Sequence, residues 1–168
     1  MPVTSPRQRA VLAVLLLHAN RSVSAAELID QVWGEGQPAS AGGLVHTYIW
    51  QLRRLLAGHE PGGGRPRITR QPGGYLLRVA EGELDAQVFE QLAIVGVSTL
   101  AAGDAAAAST CLRRALALWS GEALADLDLA GAAAAECSRL AELRRQRPSH
   151  PGQPWLAARR SGRPAHLR

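Results

Sequence analysis

The side chains best suited to chemistry in this sequence are arginines and polar residues on one helical segment, residues 40–57. Apart from histidine, every basic residue is Arg and none is Lys, and each guanidinium can donate two parallel hydrogen bonds to a phosphate. Codon bias in a GC-rich genome explains the absence of Lys, so the positions of the arginines carry more information than their number. The outward side of the segment contains no acid and presents Gly43, His46, Thr47, Trp50, Gln51, Arg53 and Arg54.

This mixture of residue types indicates double-stranded DNA as the partner. Arg53, Arg54 and Arg70 are suited to phosphates, whereas Thr47 and Gln51 can hydrogen-bond base edges, Gln most naturally to adenine N6 and N7. The alternative is an ordinary solvated helix face beside an ordinary surface turn.

Trp50 is the unusual member of the outward side. Its ring could pack on a deoxyribose or under a neighbouring hairpin, and we favour packing within the protein.

The charge alternates in three blocks along the chain. Residues 1–80 contain nine Arg and four acids, residues 81–143 contain three Arg and ten acids, and residues 144–168 contain seven Arg and no acid. This pattern predicts a basic nucleic-acid-binding module, an acidic module with another partner, and a basic tail.

Helix-capping signals position the first two helices. Ser5 and Ser24 each stand three residues before a Gln or Glu, the spacing of a capping box. We predict a buried helix from residue 6 to about 19 and a second helix that stops at Gly34, with a tight turn at 20–23 between them.

The segment that carries the polar surface is predicted to be a third helix, capped by Ser40 and extending to about residue 57. One narrow stripe of its helical wheel is apolar and should face the core; it comprises Val45, Ile49, Leu52 and Leu56. The polar residues then project away from the protein.

Two short strands follow at 68–79, after a Gly/Pro-rich loop at 58–66. Pro72 and Gly73 fit a type II turn, since Gly tolerates the positive φ that this turn requires. The resulting hairpin is basic and bears Arg67, Arg70 and Arg78.

The later sequence is rich in Ala and Leu and predicts three more helices, at about 86–102, 105–120 and 130–145. The Gly103-Asp104 break makes the first two an antiparallel hairpin, the geometry of a helical repeat. Residues 147–168 show no periodicity, and we predict a disordered basic tail.

Several other classes of protein are disfavoured. Cys111 and Cys137 lack metal or redox spacing and indicate small buried thiols in a reducing compartment. The longest apolar run, at 10–17, is too short to span a bilayer and is followed by polar residues unlike an approach to a signal-peptide cleavage site. No nucleophile-elbow, zinc-protease or phosphate-loop motif is present. We therefore expect a cytoplasmic protein that is not an enzyme and has no cofactor.

Four segments in order resemble the winged helix of the SARP family of actinobacterial pathway regulators. They are PRQRAVLAVLLL at 6–17, LIDQVWG at 28–34, QLRRLL at 51–56 and TRQPGGYLL at 69–77. Three later segments are similar to the start of the bacterial transcriptional activator domain of that family: DAQVFEQL at 85–92, AAGD at 101–104 and ALALW at 115–119.

The resemblance implies a mainly α fold with a small β-hairpin wing, in which an OmpR/PhoB-type winged helix-turn-helix at 1–80 precedes a tetratricopeptide-like activator-domain fragment at 84–146. The third helix would be the recognition helix. It further implies activation of secondary-metabolite genes by recruitment of RNA polymerase to direct repeats, with possible self-association on DNA. The matching DNA-contact residues are Thr47, Tyr48, Gln51, Arg53, Arg54, Thr69 and Arg70.

The sequence also departs from the family pattern. Only residues 1–4 precede the first helix, where relatives begin with a small sheet, and the activator domain is short by more than half. Gly42 and Gly43 occupy the first turn of the recognition helix, each at a cost of about 1 kcal/mol relative to Ala. We therefore expect a truncated relative, with a helical interaction adaptor or a non-functional fragment as the alternative.

Overall fold

The computed structural model describes residues 5–57 and 66–145. It is mainly helical, with one small antiparallel sheet, as the sequence predicts. The predicted loop at 58–66, apart from residue 66, and the predicted tail lie outside the described residues. The elements in order are α1 (Pro6–Leu17), β1 (Ser22–Ser24), α2 (Ala25–Trp33), a 3-10 turn (Gly34–Gly36), α3 (Ala41–Leu56), β2 (Ile68–Gln71), β3 (Gly74–Leu77), α4 (Asp85–Ala101), α5 (Ala105–Ala117) and α6 (Gly131–Arg145).

The predicted helix starts are largely confirmed. The Ser24 hydroxyl accepts from the Glu27 amide at 3.1 Å, and the Glu27 carboxylate accepts from the Ser24 amide at 2.7 Å. These bonds complete the capping box and lower the pKa of Glu27. Ser40 precedes α3 as predicted, but its side chain makes no capping hydrogen bond.

The connection between α1 and α2 is a strand and not only the tight turn that was predicted. β1 pairs antiparallel with β3, with Val23 opposite Tyr75, so the sheet order is β1-β3-β2. Gly74 of β3 is paired with Ser24 of β1, and a Cβ on Gly74 would stand 2.1 Å from the carbonyl oxygen of Val23. The wing hairpin therefore contributes two strands to a three-stranded sheet, with β3 in the centre and β2 at one edge.

The first half of the chain has a well-packed core of large aliphatic side chains. The largest fully buried residues come from α1, β1, α2, α3 and β2: Val11, Val14, Leu15, Val23, Leu28, Val32, Val45, Ile49, Leu52 and Ile68. The predicted apolar stripe of α3 thus faces this core, and its outer side faces solvent.

The helix α6 belongs partly to the same core. Ala133 is fully buried within the core of the first half of the chain, and the Ala130 amide donates to the Gln31 carbonyl at 2.8 Å. Arg9 and Asp126 form an ion pair at 3.1 Å across the same junction. The predicted division near residues 80 and 84 stays a prediction, but the two segments share buried surface.

Candidate nucleic-acid interface

The exposed side of α3 is a continuous stripe. Gly43, Thr47, Trp50 and Arg54 are spaced four, three and four residues apart and are all exposed, so they share the face opposite the buried Val45, Ile49 and Leu52. Thr47 Oγ1 donates to the Gly43 carbonyl at 3.0 Å. The centre of the surface is therefore Thr47, Trp50 and Arg54.

The predicted contact residues divide into two groups. Thr47, Arg54 and Arg70 are exposed. The other four are half-buried: Tyr48, Gln51, Arg53 and Thr69. The structure brings α3 and the wing together where Arg53 contacts β2, and the roles of the seven residues in DNA contact stay predictions.

Arg53 joins the third helix to the wing. Its Nε donates to the Ile68 carbonyl of β2 at 3.0 Å, which holds the side chain half-buried. A half-buried position fits the edge of the outward side of α3, and the bond to the Ile68 carbonyl is a partner that the sequence did not reveal. A charge at this position can still face DNA, because Nε supplies only one of the five guanidinium N–H donors.

Tyr48 and Thr69 have partners within the protein. Tyr48 packs against the winged-helix core, and Thr69 Oγ1 accepts from Gln71 Nε2 at 3.4 Å. Their contribution to DNA contact, carried over from the family resemblance, stays a prediction.

Trp50 does not pack under the hairpin, so the favoured expectation for it is wrong. The side chain is 53% exposed, and the Arg54 guanidinium lies 4.8 Å from the centre of its ring. The helical wheel placed Trp50 on the outward side with Thr47 and Arg54, and that placement is confirmed. The stacking of Arg54 on the ring was missed, although a spacing of four residues brings two side chains together on a helix.

Asn20 anchors the base of the wing. It has a positive φ of 63°, and its side chain both donates to the Val79 carbonyl at 2.9 Å and accepts from the Val79 amide at 3.0 Å. Its own amide donates to the Leu77 carbonyl at 2.9 Å. One residue thus extends the sheet beyond β3 and fixes the exit of the chain.

Arg67, one of the three arginines of the basic hairpin, is paired within the protein. It donates through both Nη1 and Nη2 to the Glu83 carboxylate at 2.6 and 2.7 Å, and Glu83 also accepts from the Ala80 amide at 2.8 Å. These bonds, chiefly the one from Arg67, lower the pKa of Glu83 to about 2. The hairpin cations that remain exposed are Arg70 and Arg78.

The surface formed by α3 and the wing is cationic. Between Glu35 and Glu81 the sequence contains one acid, Glu60, and among the described residues neither Arg54 nor Arg70 forms an ion pair. In the later helices, by contrast, Arg139 pairs with both Glu90 and Glu136. The exposed arginines of α3 and the wing therefore keep their charge available to an anionic partner.

Other kinds of site are less well supported. No cluster of three or more His, Cys, Asp or Glu that could hold a metal occurs in the described ranges. A cavity of about 430 Å³ lies between α1, α4 and α6, and no residue of α3 or the wing lines it. Within 5–57 and 66–145, no helix is both long and apolar enough to cross a lipid bilayer.

Together the sheet, the third helix and the following helical hairpin define a winged helix-turn-helix joined to a helical module. Two family models match the chain in this order: "Transcriptional regulatory protein, C terminal" over residues 3–77 and "Bacterial transcriptional activator domain" over residues 84–147. The chain belongs to the SARP family of transcriptional regulators. The family and fold class expected from the sequence motifs are confirmed.

The chain is similar to longer regulators. It is 45% identical over 122 residues to the regulatory protein AfsR of Streptomyces coelicolor, which covers 72% of this chain and 12% of AfsR. It is 36% identical over 142 residues to the regulatory protein DnrI of Streptomyces peucetius. That alignment covers 82% of this chain and 52% of DnrI. A structure of Mycobacterium tuberculosis EmbR in complex with a low-affinity phosphopeptide matches with a TM-score of 0.76 and 34% identity, covering 86% of this chain and 38% of EmbR. The chain spans about half or less of each relative.

Proposed function

We propose that this chain is a sequence-specific double-stranded DNA-binding protein that regulates transcription. The observation that carries the proposal is the cationic surface made by α3 and the wing, with Arg54, Arg70 and Arg78 exposed. In this arrangement α3 enters the major groove, which is about 12 Å wide, while the hairpin reaches the adjacent backbone or minor groove.

The contact residues take different roles in this proposal. Arg54 and Arg70 bind phosphates and set the register, whereas Thr47 and Gln51 read base edges. Arg53 contacts a phosphate while its Nε holds the Ile68 carbonyl, so it fixes the wing relative to α3. Tyr48 and Thr69 complete the predicted contact set from the edges of the surface.

The family membership supports a more specific proposal. We propose a cytoplasmic activator of secondary-metabolite genes that recruits RNA polymerase at promoters with direct repeats, where copies of the chain associate on adjacent sites. Its role is regulatory and not catalytic. The acidic helices α4 to α6 supply the second partner surface.

A salt titration tests DNA binding. If about three arginines neutralise phosphates, the slope of log binding constant against log salt should be close to −3. Arg70→Ala should reduce the magnitude of that slope by about one unit on both selected and scrambled duplex DNA, because a phosphate contact carries no sequence information.

Arg113→Ala provides a matched control, since Arg113 is an exposed arginine on α5 and its loss removes the same charge away from the surface. It should leave the slope unchanged. A flat salt response of the wild-type chain rejects DNA binding. Weak binding without sequence preference would favour the interaction adaptor, and a selective loss of sequence preference in Arg70→Ala would assign base or groove-shape reading to the wing.

A further inference from the structure

The exposed position of Trp50 requires a physical explanation. A Trp side chain can bury 150–250 Å² of surface, yet here 53% of it remains in solvent, the largest exposed fraction for a large apolar side chain among the described residues. It contributes little to the core of the winged helix. A partner that contacts the outer side of α3 would bury the rest of the ring.

The surroundings of Trp50 match a groove-facing position. Thr47 and Arg54 lie on the same exposed stripe, and Gln51 is adjacent. A Cβ added at Gly43 would meet no atom of the described residues within 4 Å, so the start of the stripe is open and unobstructed. The Arg54 guanidinium lies over the Trp50 ring, 4.8 Å from its centre, and 53% of the side chain stays exposed, so part of the indole is available to a partner.

The major groove offers one prominent apolar group, the C5-methyl of thymine. We propose that Trp50 is an additional specificity-determining residue, whose indole packs on a thymine methyl while Arg54, stacked on the ring, reaches the neighbouring phosphate. The proposal rests on the proposed DNA binding. It adds an apolar contact to a surface that residue types alone would describe as polar and basic.

The energetic reason is the burial of a methyl group that is otherwise hydrated. Burying one methyl or methylene in an apolar contact changes an equilibrium constant by about fourfold. Stacking on Arg54 reduces the freedom of both side chains before DNA arrives, and a cation over an indole is the most favourable pairing of this kind. The contact would discriminate thymine from cytosine, because cytosine lacks the methyl.

The test uses uracil, which keeps every hydrogen-bonding group of thymine and lacks only the methyl. The wild-type chain is first used to enrich sequences from a duplex library with a randomised centre. Each thymine of the enriched site is then replaced by deoxyuridine, one at a time, and Kd is measured by fluorescence anisotropy. At one or two positions uracil should weaken wild-type binding about fourfold.

Trp50→Ala should abolish that sensitivity, and Trp50→Phe should retain part of it, because a smaller aromatic ring still covers the methyl. Leu116→Ala is the matched control: Leu116 is 50% exposed on α5, so its loss should leave the uracil effect intact. The unfolding midpoint of each variant establishes that it is folded. Since the wild-type uracil scan needs no variant, a Trp50→Ala chain that failed to fold would not block the test.

The possible outcomes separate the two proposals. If the wild-type chain enriches no sequence, DNA recognition itself fails, and the assignment of Trp50 falls with it. If it enriches a site at which uracil never weakens binding, or if Trp50→Ala keeps the uracil effect, DNA binding stands and the Trp50 proposal is overturned.

Discussion

The first three helices bury large aliphatic side chains around one centre, whereas the later helices make a smaller cluster of Phe89, Ala115 and Leu140. The contrast extends to the surface. Among the described residues, three large apolar side chains of the later segment are more than a third exposed, Val95, Leu116 and Leu118, against Trp50 alone in the winged helix. The winged helix therefore supplies most of the hydrophobic driving force, since free energy scales with buried apolar area.

The later helices rely instead on close helix contact. Gly96 lets α4 approach α5, because a Cβ there would stand 2.7 Å from Leu112 Cγ. Phe89 and Trp119 meet edge to face with ring centres 5.2 Å apart, and Ala133 anchors α6 in the core of the winged helix. The comparison teaches that the winged helix is stabilised mainly by its own hydrophobic core, whereas the later helices also depend on packing against the winged helix.

The largest effect should come from the winged-helix core. Leu52 is fully buried, so Leu52→Ala should lower the free energy of unfolding by about 2–5 kcal/mol through the cavity it leaves. Gln51→Ala, its half-buried neighbour, should alter DNA sequence preference with little loss of stability. Denaturant unfolding of both variants checks this, and a reversal of the two stabilities would show that the helix register is wrong.

The second-largest effect on stability should come from the junction between the winged helix and α6. Ala133→Leu introduces bulk where α6 contacts α1 and α2, and should cost about 1–3 kcal/mol by overpacking. Ala132→Leu places the same side chain on the exposed side of α6 and should be nearly neutral. If both variants unfolded at the wild-type midpoint, α6 would not be docked on the winged helix.

The close packing of α4 on α5 can be tested by substituting Gly96 and, as a control, a glycine with free space around it. Gly96→Val adds methyl groups against Leu112 and should cost about 1–3 kcal/mol. Gly42→Val, in a helical turn where a Cβ meets no described atom within 4 Å, should change stability by less than about 0.5 kcal/mol. Thermal unfolding measures the difference, and equal effects would show that Gly96 is not required for close packing.

The smallest effect concerns the base of the wing. Because the pKa of Glu83 is lowered from 4.5 to about 2, its contribution to stability is present above about pH 5 and is lost as the pH falls towards 2. The stability difference between wild type and Glu83→Gln should shrink over that interval. An NMR titration of the Glu83 carboxyl gives the direct measurement, and Arg67→Gln should raise its midpoint. A wild-type midpoint near 4.5 would show that the Arg67 contact does not persist in solution.

Much of the fold could be predicted because its signals are local. Ser24 and Glu27 form a capping box within one turn, Gly34 with φ 57° ends α2, and Gly73 with φ 82° makes the hairpin turn. The apolar stripe of α3 fixes which side is buried, since 3.6 residues per turn bring Val45, Ile49 and Leu52 together. The sequence by itself therefore determined the helices, the hairpin and the orientation of the surface.

The features that it missed depend on residues far apart in the chain. β1 has only three residues and becomes a strand because Val23 meets Tyr75. Arg67 is paired within the protein because Glu83 is within reach, and Arg53 is held at the edge of the surface because its Nε reaches the Ile68 carbonyl.

In the same way, only the assembled fold left Trp50 uncovered and buried Ala133. Whether a charge is exposed, or an aromatic ring is covered, depends on which residues from distant parts of the sequence the fold brings into contact with it. Hydrophobic periodicity reports on neighbours within a turn or two, whereas ion pairs and strand pairing require the tertiary structure to bring their members together.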